Sequence, residues 1–426
     1  MATATPGSSS INKFSKALQE VYKMRSVRPI SLLLLLLAPL VFATTAAQAA
    51  IETAAEHAVI MDGESGQILW SKNADTPSPP ASMSKLMTLE LLFQRLKDGR
   101  VKLTETFPVS QRAWSTQGSK GFAALGARIP VETLIRGIII ASANDMCVVV
   151  AESLGGSVES FADMMNARAK QLGLTQSHFV NPNGLPDPPG QMMSVVDLAK
   201  LARHLIYDYP QYYHYFSERS FTMDVGNGHS ITQQNRDSVL DMFPGTDGLK
   251  TGHTDAAGYG ITVSAVQNGQ RLVLVLNGLR YPQLDKMTPA AQDWHGVRLR
   301  GEEAARMLGI AFREFRHYQL FKPGDVVGQA EVWQGSNNTV PLVVSGNVGV
   351  TMQVESRAGM KVVVDYDGPV QAPIAKGQQI GVIKVTAPDF PGMETPLYAA
   401  NSVSGAGLFG RMYLGLHALI FGHSGQ

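Results

Sequence analysis

The chain has 426 residues, of which 44% are hydrophobic and 17% charged, enough length and apolar content for about two globular domains with cores of their own. A formal net charge of +1 without long runs of one sign excludes a nucleic-acid surface as its organising feature. Its single cysteine, Cys147, excludes an internal disulfide, and no Cys/His cluster has structural-zinc spacing, so neither a metal nor a cofactor is expected.

At the N-terminus Lys23, Arg25 and Arg28 precede an apolar run from Ile30 to Ala43, followed by small residues and Ala47-Gln48-Ala49. That is the layout of an export signal. The run, about 14 residues, is shorter than the roughly 20 a spanning helix needs, and Pro39 interrupts it. Residues 1–49 are therefore read as an N-terminal extension plus signal peptide, with translation expected to start at Met24.

Ala58 to Met61 and Gln67 to Ser71 flank Gly63-Glu64-Ser65-Gly66 and predict a hairpin. After the Pro-rich Thr76–Pro80, "ASMSKLMTLELL" opens a helical rhythm that runs to Asp98-Gly99. Pro130 begins a second helical region through "RGIIIASANDMCVVVAESL", and Val158 to Leu172 predicts a further helix. Past the loop "NPNGLPDPPG", Ser194 and Asp197 resemble a capping box for a helix ending at Tyr209.

Strand patterns then return. Phe221 to Asp224 and Ser230 to Gln233 flank Gly226-Asn227-Gly228, while Tyr259 to Val266 and Leu272 to Leu276 flank Asn268-Gly269, the strongest hairpin signal in the chain. Glu302 to Phe315 predicts a closing helix. The fold class is α+β: an antiparallel sheet with an inserted helical subdomain over residues 50–317. Val340 to Val344, Met360 to Tyr366 and Ile380 to Val385 predict a small all-β, sandwich-like domain over 318–400. Residues 401–426 read as a Ser/Gly linker followed by an amphipathic helix from Leu408 to Phe421, suited to a membrane interface rather than to spanning.

Three short motifs carry chemistry. Ser82 and Lys85 stand one helical turn apart, so the lysine can take the serine's proton if burial and a second cation lower its pKa. The pattern alone also fits a helix cap with a solvated lysine, and Ser10 to Lys13 matches it by chance. Ser142-Ala143-Asn144 lies between helical segments, where an isolated Ser-x-Asn can be a polar turn. Lys250-Thr251-Gly252 is unique in the chain and sits in the Gly-rich strand "DGLKTGHTDAAGYG", where a glycine lets a substrate backbone approach. In that order, the three form the signature of penicillin-recognising serine enzymes.

The chain thus resembles the low-molecular-mass penicillin-binding proteins that are D-alanyl-D-alanine carboxypeptidases, a likeness carried by "DGESGQILWSKNAD", "PASMSKLMT", "SANDMCVVVAE", "LGLTQSHFVNPNGL" and "DGLKTGHTDAAGY". The resemblance implies a β-lactamase/transpeptidase-like fold, acylation of Ser82 by peptidoglycan stem peptides or by β-lactams, and hydrolysis of the acyl-enzyme. It implies Lys85 as base, Ser142 as proton relay, Asn144 as amide binder, Lys250 as a source of positive potential, Thr251 as carboxylate partner, and the backbone N–H groups of Ser82 and His253 as oxyanion hole. The export signal and the tail together predict a periplasmic enzyme attached peripherally to the outer face of the inner membrane, although Leu408 to Phe421 could also pack against the β domain or stay disordered.

Arg236 and Arg271 are candidates for gripping a carboxylate, each equally readable as a solvated surface arginine. Cys147, flanked by Val148 to Val150, is read as packing. Two rivals stand beside the carboxypeptidase. A class A β-lactamase needs a loop glutamate, and none lies between Glu159 and Glu218. A catalytically silent cell-wall scaffold would not require intact motifs.

Overall fold

A computed structural model describes residues 51–226 and 229–407. The export segment and the amphipathic tail from Leu408 lie outside the described residues.

Strands β1 (His57–Asp62) and β2 (Ile68–Lys72) form the first hairpin. A 3-10 turn, Ala81–Ser84, then runs directly into helix α1 (Lys85–Lys97). A two-strand ladder, β3 (Thr106–Pro108) with β4 (Arg128–Pro130), brackets the short helix α2 (Gln111–Ser115). Helices α3 (Val131–Ile139), α4 (Asn144–Gly155), α5 (Val158–Gln171), α6 (Val195–Asp208) and the one-turn α7 (Pro210–Tyr213) complete the insertion.

The chain returns through the hairpin β5 (Ser220–Gly226) and β6 (His229–Gln234) and a turn of helix, α8 (Val239–Met242). Strands β7 (Thr246–Thr254), β8 (Gly258–Gln267) and β9 (Gln270–Leu279) lead to α9 (Pro289–Glu314). The main sheet has the order β2-β1-β9-β8-β7, antiparallel throughout, so its two N-terminal strands close onto strands more than 190 residues later in the chain. This is the split sheet expected from the sequence.

Both sheet faces are covered, as the period-2 alternation of the strands requires. Val59, Met61, Val273 and Val275 point into the helical core, whereas Ala58, Ile60, Leu272, Leu274 and Leu276 pack against Ala304, Met307, Leu308 and Ala311 of α9.

Phe315 ends the helix and begins the β domain without a linker: β10 (Phe315–Phe321), β11 (Val326–Trp333), β12 (Thr339–Val343), β13 (Val348–Gln353), β14 (Lys361–Tyr366), β15 (Val370–Gln371), β16 (Gln379–Ala387) and β17 (Phe390–Ala399). They form a six-stranded sheet, β14-β16-β17-β12-β11-β15, and the pair β10-β13. Thr351 Oγ1 donates to Asp62 Oδ2 across 2.7 Å, tying β13 to the first hairpin.

Several local readings change. The closing helix starts at Pro289 rather than Glu302, with Thr288 capping it through Ala291 N; its first turns expose Trp294 and Arg298 and so lack the apolar stripe that marks a buried helix. Ser194 Oγ caps Asp197 N at 3.1 Å, but Asp197 turns its carboxylate to Gln176 N and Ser177 Oγ, so the box is not reciprocal. The stretch 401–407, read as linker, pairs with the β domain: Val403 is buried and exchanges backbone hydrogen bonds with Ile374, and Ala406 N donates to Gln334 O. Among the described residues, no helix is long and apolar enough to cross a membrane.

Candidate active site

Ser82 sits in the 3-10 turn and Lys85 is the first residue of α1, which places the two side chains on one face. Lys85 is fully buried; its Nζ donates to Ser82 Oγ at 2.6 Å and to the backbone carbonyl of Asn183 at 2.5 Å. That carbonyl comes from the loop 181–185, folded on itself because Asn181 Oδ1 accepts from Asn183 N and Gly184 N. Gly184 has φ +80°, and a Cβ there would lie 1.9 Å from Ala81 O, so the loop can press against the serine's turn only as glycine.

Burial pushes the Lys85 ammonium down to about 8, and the Arg236 charge adds to the effect. Lys250, buried on β7, is lowered well below the usual lysine range by burial and then by Lys85, Arg236 and Arg300. Burial, with the Arg236 cation adding to it, gives Lys85 the neutral amine form that a base requires.

Ser142 occupies the break between α3 and α4 with φ +57°, a conformation that a non-glycine residue holds only when its surroundings impose it. The surroundings are visible: Ala143 N donates to Gly137 O, Asn144 N to Ser119 O, and Asn144 Nδ2 to Gln117 O at 2.8 Å. Asn144 Oδ1 is buried and has no hydrogen-bond partner among the described residues. Cys147, one turn on, is fully buried, and desolvation pushes its thiol up to about 12.

Gly252 is where β7 meets the Ser82 turn. A Cβ there would lie 2.9 Å from Pro80 O and 3.2 Å from Ser82 N, so the close approach the glycine permits is first of all that of the chain's own turn. His253 stacks its ring on Tyr259 at 3.8 Å between centroids, which accounts for the side chain without a chemical role.

A cavity of about 190 Å³ opens over these elements. Its walls bring together Ser82, Ser142, Arg236, Thr251, Gly252 and His253, with Lys85, Lys250 and Asn144 buried behind them. Arg271 is not there. It pairs with Asp247 at 2.8 Å, bonds Ser264 Oγ and lies over the Tyr213 ring. Arg271 pairs with Val266 near the hairpin tip, whereas Gly252 pairs with Gly260, six residues or about 20 Å back along β8. Arg271 braces the sheet.

The cavity also holds residues that the sequence did not reveal: Ser119, Asp293, Val297 and Arg300. Arg300 Nη1 donates to Gly252 O and Nη2 to Arg236 O, so this buried guanidinium joins β7 to the segment that carries Arg236. Burial lowers it to about 10, countered by Asp237, whose own buried carboxyl is raised to about 6. No short-range spacing announces Arg300; the topology brings it in from α9.

Residues 43–279 match the family described as D-alanyl-D-alanine carboxypeptidase, and residues 315–404 match the C-terminal domain of penicillin-binding protein 5. The chain is 33% identical over 398 residues to the D-alanyl-D-alanine carboxypeptidase DacC of Escherichia coli, covering 92% of this chain and 94% of that one. Penicillin-binding protein 5 from Haemophilus influenzae superposes with a TM-score of 0.71 at 31% identity, covering 83% of this chain and 98% of that one. Penicillin-binding protein D2 from Listeria monocytogenes, solved in an ampicillin-bound form, superposes with a TM-score of 0.50 at 25% identity over 61% of this chain and 98% of that one.

Proposed function

The chain belongs to the D-alanyl-D-alanine carboxypeptidases and is a serine-type hydrolase of that family, and from that premise we propose that Ser82 is the nucleophile that opens the bond between the two terminal D-alanines of a peptidoglycan stem peptide. The observation that carries the assignment is the contact of 2.6 Å between Ser82 Oγ and the buried Nζ of Lys85.

In this reading neutral Lys85 takes the Ser82 proton as Oγ attacks the carbonyl carbon, and the oxyanion forms toward the backbone N–H groups of Ser82 and His253. Ser142 relays the proton to the departing amine, and D-alanine leaves. Asn144 Oδ1, without a partner among the described residues, accepts from a substrate amide once its side chain is exposed to the cavity. Thr251, Arg236 and Arg300 receive the terminal carboxylate, with Lys250, where protonated, adding positive potential from beside Thr251. Water then hydrolyses the ester on Ser82. A β-lactam enters the same first step, which the ampicillin-bound relative supports.

For localisation, the export segment supports delivery outside the cytoplasm, and the amphipathic pattern from Leu408 to Phe421 supports peripheral attachment to the outer face of the inner membrane. The test of the chemistry is D-alanine release from a pentapeptide ending in D-Ala-D-Ala, by the mature chain and by Ser82→Ala. Release by the first and at least a 10³-fold loss in the second is expected; equal release would remove Ser82 from the mechanism.

A further inference from the structure

Among the described residues lining the Ser82 cavity, Asp293 supplies the one carboxylate, and no step of the reaction uses it. It lies on the first turns of α9, which are docked onto the rim. Tyr259 Oη donates to Gln292 O, and Gly296 lies so close under the same ring that a Cβ would come within 2.2 Å of Cζ. The His253 ring stacks on Tyr259 as well, so α9 and the end of β7 hold a common aromatic plate. The position of Asp293 is therefore built.

The carboxylate itself is exposed and has no hydrogen bond or ion pair among the described residues, yet its charge is felt at both Arg300 and His253. It faces a cavity walled by Arg236 and Arg300, whose guanidinium charges attract any anion. Such a field alone would draw a second carboxylate on the departing residue as readily as the terminal one. The negative charge of Asp293 on the cavity wall, with Asp255 also acting on His253 from outside the cavity, raises the cost of that second carboxylate without blocking the first, which the arginines hold.

We propose that Asp293 is a specificity-determining residue that excludes acidic side chains from the departing C-terminal residue and keeps the cavity for neutral D-amino acids. The proposal rests on the reading that Arg236 and Arg300 receive the terminal carboxylate. Like charges about 8 Å apart at the edge of a protein discriminate by roughly 5- to 30-fold.

The experiment uses peptides ending in D-Ala-D-Asn and D-Ala-D-Asp, alike in size and different in charge, beside D-Ala-D-Ala. Each is assayed as a substrate of the mature protein and, where uncut, as a competitor of D-alanine release. The wild type should prefer the D-Asn peptide by roughly 5- to 30-fold. Asp293→Asn should bring the ratio close to one, Asp293→Lys should invert it, and high salt should shrink the wild-type preference. A ratio within about twofold of wild type in both variants, with D-alanine release intact, overturns the role of Asp293 and leaves the carboxypeptidase mechanism standing. No D-alanine release from the wild type overturns the mechanism and this inference together.

Discussion

In the proposed mechanism Lys85 can take a proton from Ser82 only when it is itself unprotonated, so the burial that lowers it to about 8 would set the pH at which acylation becomes fast. Acylation by a β-lactam should rise with pH through about 8 and level off above it. Arg236→Gln removes a neighbouring cation, so the midpoint should move to higher pH, a change that mere loss of carboxylate binding would not cause; an unmoved midpoint would disconnect Arg236 from the base. The linkage has a definite sign. The folded chain binds fewer protons at Lys85 than the unfolded chain between about 8 and 10.5, so this group's contribution to stability grows as pH rises through that window and is least below it. Local placement of side chains is the part that the sequence reveals best. Ser82 and Lys85, or Lys250 to Gly252, are fixed by local spacing, and local spacing survives folding. Arg271 was beyond that reach because its neighbourhood on the hairpin tells nothing of its distance along the strand from Ser82.

Elements bring together what spacing cannot. The break between α3 and α4 is held from outside by the segment 117–123, and that segment is held in turn by Asp145, whose carboxylate accepts from Gly121 N at 2.8 Å and Ala123 N at 3.1 Å. Gly121 lies close under Met146, since a Cβ there would meet the end of that side chain at 2.4 Å and would force it to move. Asp145→Ala should orphan three buried N–H groups, those of Gly121, Ala123 and Met146, costing about 2–4 kcal/mol, and should loosen Ser119 and Gln117, which hold Asn144. Thermal melting should show the loss, and β-lactam acylation should slow even where the protein remains folded; a melting loss with unchanged acylation would make Asp145 a purely structural anchor. The sequence places Asp145 beside Asn144 but gives no sign of the segment it holds. In the same way α9 conceals Arg300 and Asp293, because its first turns have too little apolar surface to read as a helix and reach the cavity only through the return of the chain over the sheet.

In the whole molecule the β domain is not a loosely tethered appendage, since α9 passes into β10 at Phe315 and Thr351 bonds buried Asp62 while His317 Nδ1 lies 3.1 Å from the same hydroxyl. Its C-terminal limit then decides how the membrane tail can be tested. Residues 401–406 belong to the fold: Val403 is buried in the β core, Ser336 N donates to Ser404 O, Ile374 and Val403 bond one another twice, and Ala406 N donates to Gln334 O. Ending the chain after Ala400 strips a buried valine and these bonds as well as the tail, a cost of about 2–4 kcal/mol. Ending it after Gly407 removes only the tail. The shorter chain should melt lower, by roughly 10–30 °C in the transition of the β domain, whereas the chain ending at Gly407 should melt as the full mature protein does. Flotation with anionic vesicles should recover the full chain and leave the Gly407 chain in solution. Equal flotation of these two would move membrane attachment away from Leu408–Phe421, and a melting loss already present at Gly407 would make the tail part of the β domain.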